Sequence, residues 1–181
     1  ELNVKIFTAE IIYHLFDKFT AYMAEVRKEQ QEKAALVAVY PCVAEISSAE
    51  HVWVRGGGGD PILVGMTVRE GVLKRGTPLC VERRGQKDPE TGLQAYLDIG
   101  RVIGLEHNRK PVEQAKAGMS VSVKIDAVTS VAYGRQFDLT YDFYSRVTRK
   151  SIDALRDFFR EDVTKDDWQL LIRLKKQFGV I

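Results

Sequence analysis

The sequence predicts a mixed fold: a long N-terminal α-helix, then a mostly antiparallel β-barrel, then two C-terminal α-helices. Three observations carry that expectation. Ile12, Leu15, Phe16, Phe19, Met23 and Val26 recur at the i, i+3, i+4 spacing of one helical face. Several short β-branched runs follow, separated by turn residues and by no helical stretch, as in a closed or sandwiched all-β body. After residue 150 the apolar period returns to a helical one.

The first helix changes character along its length. Thr8 is a candidate N-cap, and Glu10 suits the positive end of the helix dipole. Beyond Val26 comes Arg27-Lys28-Glu29-Gln30-Gln31-Glu32-Lys33, with nothing to bury on any face. A helix polar all round often bridges separate bodies through solvent. Running from Ala9 to Ala34, it spans roughly 40 Å. We expect a spacer whose apolar half anchors in a body preceding it; the alternative is a helix that docks on its own domain. Glu1 to Thr8 reads as a chain already under way, a piece of something longer.

Leu36 to Val43 is apolar and β-branched and is expected to be a buried strand broken at Pro41. Residues 47–60 are expected to be a loop, with the glycines at 56–59 as a mobile hairpin tip. Further strands are expected at 62–68, 78–83, 95–106, 120–125 and 143–147. The turn signals between strands are Glu70-Gly71, Arg75-Gly76, Asp88-Pro89, Thr91-Gly92, Lys116-Ala117-Gly118 and Tyr133-Gly134. Ser151 is positioned to cap a helix carrying Ile152, Leu155, Phe158 and Phe159. Thr164 starts another, with Asp167 completing a capping box and Val163 and Trp168 at the staple positions. Leu170, Leu171, Leu174 and Phe178 continue it, and Gly179 ends it. The expected division is residues 1–34, the end of a preceding domain plus the connecting helix, and 35–181, a barrel domain closed by a helical pair at 151–181.

Composition narrows function mainly by exclusion. Of 181 residues, 45% are apolar and 29% charged, which suits one domain with an appendage or two small domains. The net charge of +2 gives no basic field over the whole molecule, so any nucleic-acid contact must rest on local clusters. Cys42 and Cys80 lie in apolar runs and are expected to be buried, reduced thiols. No stretch reaches transmembrane length, so no membrane partner is expected. His14, His51 and His107 share no metal-ligand spacing with the cysteines. The segment 71–77 imitates a phosphate-binding loop but lacks its Lys before Ser/Thr and leads into a strand. No catalytic residue and no metal ligand is expected in this chain.

Basic clusters are more informative. They are Lys74-Arg75 in a turn, Arg83-Arg84 at a strand end, His107-Asn108-Arg109-Lys110 in a loop, and Arg146, Arg149 and Lys150 where barrel meets helices. Each alone reads as solvated loop charge; several on one barrel can grip a phosphate backbone. Tyr96 and Tyr133 are candidates to stack on bases, although strand aromatics are more often core. The last helix carries a broad apolar surface bordered by Arg173, Lys175 and Lys176, which suits an acidic-hydrophobic peptide.

These residues also carry a family resemblance. Residues 4–17, VKIFTAEIIYHLFD, resemble the start of the connecting helix of eukaryotic translation initiation factor five-B, a relative of bacterial initiation factor two. The likeness continues through YPCV at 40–43, DPILVG at 60–65, EGVLKRGTPL at 70–79 and GRVIGLEHNRKPV at 100–112. It closes with Tyr133-Gly134-Arg135, RKSIDAL at 149–155 and the stretch from Asp167 to Ile181. The resemblance implies a barrel of the translation-factor type in a cytoplasmic initiation GTPase that joins ribosomal subunits. GTP and Mg would be bound by domains upstream, and no cofactor is expected in this chain. The implied partners are the ribosome, the acceptor end of initiator methionyl-tRNA and the C-terminal tail of initiation factor one-A.

The tRNA face is expected at Lys74, Arg75, His107, Asn108, Arg109 and Arg135. The tail is expected on Trp168, Leu171, Arg173, Leu174, Lys175, Lys176 and Phe178. The glycine run departs from the family, and Tyr133 and Gln136 stand where it tends to show Trp and His. The competing expectation is a protein-interaction module without RNA, or the barrel of another translational GTPase.

Overall fold

The structure, a computed structural model, describes residues 4–57, 60–89, 92–128 and 130–180. The chain divides into two compact units, Glu1–Val37 and Ala38–Ile181.

In the first unit, α1 (Ile12–Ala35) begins later than its sequence suggests. Ile11 is its extended N-cap residue and offers no side-chain cap. Thr8 is not the cap, because the segment before the helix folds back along it. Phe7 meets Phe19 edge-on and also packs on Tyr22, with ring centroids 6.1 and 5.3 Å apart. Lys5 Nζ lies 4.2 Å from the Tyr22 ring centre, and Lys18 donates to the Thr8 carbonyl at 2.9 Å. Ile12, Phe16, Phe19 and Met23 all remain exposed, as does the polar run that follows.

The second unit is a closed antiparallel barrel of six strands with helices beside it. Its strands are β1 (Cys42–Ile46), β3 (Asp60–Lys74), β4 (Pro78–Lys87), β5 (Gln94–His107), β8 (Ser120–Ala127) and β9 (Asp142–Ser145). Around the barrel they run β1-β9-β4-β5-β8-β3, and pairing of β1 with β3 closes it. Closure removes the open edges that an isolated sheet would present. The strand β2 (Val52–Gly57) extends β3 as a hairpin outside the barrel. Two short strands, β6 (Lys110–Pro111) and β7 (Gln114–Lys116), complete the sheet against β5 and β3.

Alternation explains the core. Val121, Val123 and Ile125 of β8 point inward between exposed or half-exposed neighbours. They meet Ile62, Val64, Met66, Leu79, Ile99 and Phe143 inside the barrel. Cys42 and Cys80 are buried free thiols. Burial pushes both thiols up, that of Cys80 to about 12, so neither is a thiolate at neutral pH.

Several elements differ from their sequence signals. The strand expected from Leu36 starts only at Cys42; Leu36 and Val37 are exposed, while Val39 and Tyr40 are buried under the helices. In place of the loop expected from residue 47, the chain forms a short 3₁₀ turn (Ala49–His51) and β2, and Asp60 already belongs to β3. Residues 56 and 57 belong to β2, and Gly58 and Gly59 lie outside the described residues, as does Thr91 of the expected 91–92 turn. Glu70-Gly71 is no turn either. It lies inside β3, where Gly71 takes φ +75° so that the strand can pass close over Pro41.

A second apolar cluster fills the space between the outer barrel wall and the helices. Val39, Tyr40, Val43 and Val147 meet Leu155 of α2 (Arg149–Phe158) and Leu170, Leu171 and Leu174 of α3 (Lys165–Gln177). Both helices start with a capping box. In α3, Thr164 and Asp167 form it as expected. In α2 the cap is Thr148, and Ser151 is its reciprocal partner at the third helical position. Gly179, at φ +63°, ends α3 as its composition suggests.

Candidate nucleic-acid and peptide surfaces

The ribbon of β4 and β5 breaks register. Glu82 pairs with Tyr96, yet the next pair is Lys87 with Gln94. Four residues of β4, 83–86, therefore face the single residue Ala95 on β5. A bulge of this kind re-aims side chains out of the ladder. Gly85, at φ +74°, makes the bend, and the Gln94 amide holds it by donating to the carbonyls of Arg83 and Gln86. The result lifts Arg83 and Arg84 into solvent as a pair.

Arg84 leans toward the connection between β8 and β9. Its guanidinium lies 4.1 Å from the Tyr141 ring centre and donates to the Thr140 carbonyl. Gln136 braces the same connection, accepting from Ala132 N at 2.9 Å and donating to the Ser130 carbonyl at 2.7 Å. Together Arg83, Arg84, Gln86, Leu97, Ser130, Gln136 and Tyr141 line an open cleft of about 350 Å³. Its lining carries the Arg83 and Arg84 guanidinium groups, the Gln86 amide, the Ser130 hydroxyl and the Tyr141 ring, one face of which Arg84 covers. That is the chemistry of a seat for single-stranded nucleic acid. Arg135, next to Gln136, is exposed beside it.

Asp138 fastens the turn that leads into Tyr141, its carbonyl accepting from Tyr141 N at 3.3 Å. Its carboxylate accepts from Thr140 N at 2.8 Å and Thr140 Oγ1 at 2.6 Å, and these bonds hold its pKa below the ordinary aspartate value. A depressed carboxylate stabilises above its unfolded pKa, and that contribution is lost as pH falls through the lower folded value. The Thr140 amide resonance is therefore expected to titrate with a midpoint below that of free aspartate. Asp138→Asn should abolish that titration, and a midpoint at or above the ordinary value would contradict the assignment.

The structure divides the six residues expected on the tRNA face. His107 Nδ1 lies 2.9 Å from the Ser120 carbonyl, at the start of β8. Asn108 and Arg109 form the tight β5–β6 turn with φ of +52° and +64°, and Asn108 Nδ2 lies 3.1 Å from His107 Nε2. The turn of Arg75 is near this corner, with Arg75 N bonded to the Glu113 carbonyl at 3.1 Å. Arg135 belongs beyond the other end of β8, a strand of roughly 25 Å at about 3.3 Å per residue. The six therefore do not form one patch.

Lys74 is withdrawn from that corner. It sits half-buried with Nζ 3.4 Å from the Tyr40 ring centre. Burial lowers its pKa, against the raising effect of Asp162. Burial, then Asp162, raises Tyr40 to about 12, and the Tyr40 hydroxyl lies 3.5 Å from Asp162. This arrangement ties the α2–α3 connection to β3. Tyr96 and Tyr133 are not presented for stacking: Tyr96 meets Phe178 edge-on at 4.7 Å, and Tyr133 packs on Phe137 against the barrel core. Gln136, too, is spent on its own loop.

On α3, Leu171 and Leu174 are 2% and 0% exposed and cannot meet a peptide. They face Leu155 and Val43, so the helical period spends them on the domain. Phe178 is likewise engaged by Tyr96 and by Arg146, whose guanidinium lies 5.1 Å from its ring centre. The outward side keeps half-buried Trp168, Arg173, Lys175 and Lys176. It adds Ile172, which is 54% exposed and which the sequence reading missed. Its signal was the i+4 spacing from Trp168 on the side away from Leu170, Leu171 and Leu174. Arg173 is paired with Glu70 at 2.7 Å.

Among the described residues, no three His, Cys, Asp or Glu side chains are grouped to hold a metal. No helix among them is long and apolar enough to cross a membrane.

Comparison with known proteins adds ancestry to this geometry. Residues 46–141 match the model of elongation factor Tu domain 4. The chain is 42% identical to eukaryotic translation initiation factor 5B of Homo sapiens, over 99% of this chain and 14% of that protein. It is 41% identical to the factor of the same name from Schizosaccharomyces pombe, over 100% of this chain and 16% of that one. The crystal structure of GDP-bound aIF5B from Aeropyrum pernix superposes with a TM-score of 0.61 at 23% identity, over 96% of this chain and 26% of that one, which speaks for the fold. The chain thus spans a small fraction of the relatives it matches.

Proposed function

The chain belongs to the elongation factor Tu domain 4 family, and on that premise we propose that it is the RNA- and partner-binding part of a translation initiation factor of the 5B type. In this reading the barrel holds the acceptor end of initiator methionyl-tRNA while the factor promotes joining of ribosomal subunits. GTP and Mg are handled by other domains of the factor. The outward side of α3 takes the acidic C-terminal tail of initiation factor one-A.

The observation that supports the RNA part best is the bulge at residues 83–86 and its cleft. The bulge presents two arginines side by side, next to an aromatic ring and a braced loop. Arg135 extends the positive charge of that corner. Arginine planes and aromatic faces accept unstacked bases, and guanidinium groups pair with phosphates. The peptide part is supported by Ile172 and Trp168, bordered by Lys175 and Lys176, a combination that suits alternating acidic and apolar side chains.

The test is retention of initiator methionyl-tRNA by the 181-residue chain across a salt titration. Arg84→Glu and Arg135→Glu should each weaken binding about tenfold and flatten its salt dependence. Arg109→Glu, at the other end of β8, should leave binding near wild type. The reverse order would move the RNA site to the β5–β6 turn. Equal insensitivity of all three would favour the reading in which the domain binds protein alone.

A further inference from the structure

A second recess lies on the other side of the same bulge, between the ribbon and the end of α3. Arg83, Gln86, Lys87, Tyr96, Arg146 and Phe178 line it, and its volume is about 380 Å³. Arg83 and Lys87 reach it from the exposed ribbon. Arg146 reaches it from beyond β9, lying against two rings and a carboxylate. Its guanidinium lies 5.1 Å from the Phe178 ring centre and 6.0 Å from that of Tyr96, and its Nε is 3.8 Å from Asp98 Oδ1. Asp88 stands on the rim. Three cations thus converge from two separate elements, opposed by Asp98 and Asp88.

Arg83 and Gln86 line this recess as well as the Arg84 cleft, so the bulge is the ridge between the two. We infer that a backbone phosphate of the RNA strand whose end occupies the Arg84 cleft crosses this ridge and is held by Arg83, Lys87 and Arg146. The inference rests on the acceptor-end reading above. It adds a contact on the opposite face of the ribbon. That contact brings the RNA against Phe178, at the foot of the helix that carries the peptide surface. The recognition is of charge: Lys87 supplies a mobile ammonium, while Arg146 is pre-oriented by the two rings and Asp98.

The test uses the 181-residue chain and a fluorescent single-stranded RNA octamer, titrated at several salt concentrations. Lys87→Ala removes an exposed side chain and no packing. It should weaken binding about fivefold at low salt and reduce the slope of log K against log salt by about 0.7, the share of one single-strand phosphate. The Tyr96 and Phe178 ring resonances should shift as wild type saturates with the octamer. If Lys87→Ala keeps both the affinity and the slope, or if those rings stay unmoved at saturation, the inference is overturned. Loss of octamer binding in Arg84→Glu alongside a silent Lys87→Ala would leave the acceptor-end reading standing without it. Failure of wild type to bind the octamer at low salt would remove both.

Discussion

Gly71→Ala is expected to cost about 4 kcal/mol of stability, enough to lower the melting temperature by roughly 10 °C or more. Two effects combine. At φ +75° an L side chain is strained on its own account. The added Cβ would also stand 2.0 Å from the Pro41 carbonyl oxygen and 2.9 Å from Leu170 Cδ2. Relief is blocked on both sides. Pro41 O already accepts from Val72 N at 3.0 Å, and Leu170 is packed in the cluster beneath α3. The strain would spread into the seam where β3, the 38–41 segment and the last helix meet. Thermal melting of the purified variant is the measurement. A melting temperature within 2 °C of wild type would mean that β3 does not pass so close to residue 41.

Leu174→Ala is expected to cost 2–5 kcal/mol, the range for removing a fully buried leucine from a packed cluster. Ile172→Ala, two residues away, should cost less than about 0.5 kcal/mol, because its side chain is mostly in solvent. The two variants should also separate in binding. Ile172→Ala should weaken an acidic-hydrophobic peptide while the fold is untouched, whereas Leu174→Ala should act through stability. Chemical denaturation paired with a peptide titration checks both. A stable Leu174→Ala that has lost peptide binding would return Leu174 to the contact surface.

These two positions mark where local pattern is insufficient. Gly71 sits in a Glu-Gly pair that has the composition of a turn, and only the pairing of Cys42 with Gly71 shows a strand continuing through it. Leu174 sits on an apolar face too broad for one role. Which part of that face is spent on the domain depends on how α3 seats against Val43, Val147 and Leu155.

The rest divides along the same line. The amphipathic first helix, five of the barrel strands, the Thr164–Asp167 box and the Gly179 stop were legible in the sequence. Each depends on residues within a few positions of one another, where backbone preference and side-chain periodicity act directly. The later start of α1 was not legible, because Phe7 and Lys5 fold back onto Phe19 and Tyr22, more than ten residues away. Nor was the bulge at 83–86, since an unpaired residue is defined only by what stands opposite it on β5.

The division of the cations is a tertiary fact of the same kind. The sequence by itself determined that positive charge is concentrated in a few short clusters on barrel connections. Only the closed barrel decided that Arg109 and Arg135 belong to opposite ends of β8, that Lys74 turns onto Tyr40, and that Arg83 stands between two recesses while Arg84 lines one of them. The physical reason is that local chemistry sets what each segment is. Where its charges point depends on strand register, and register is set by burying one face of every strand in a common core.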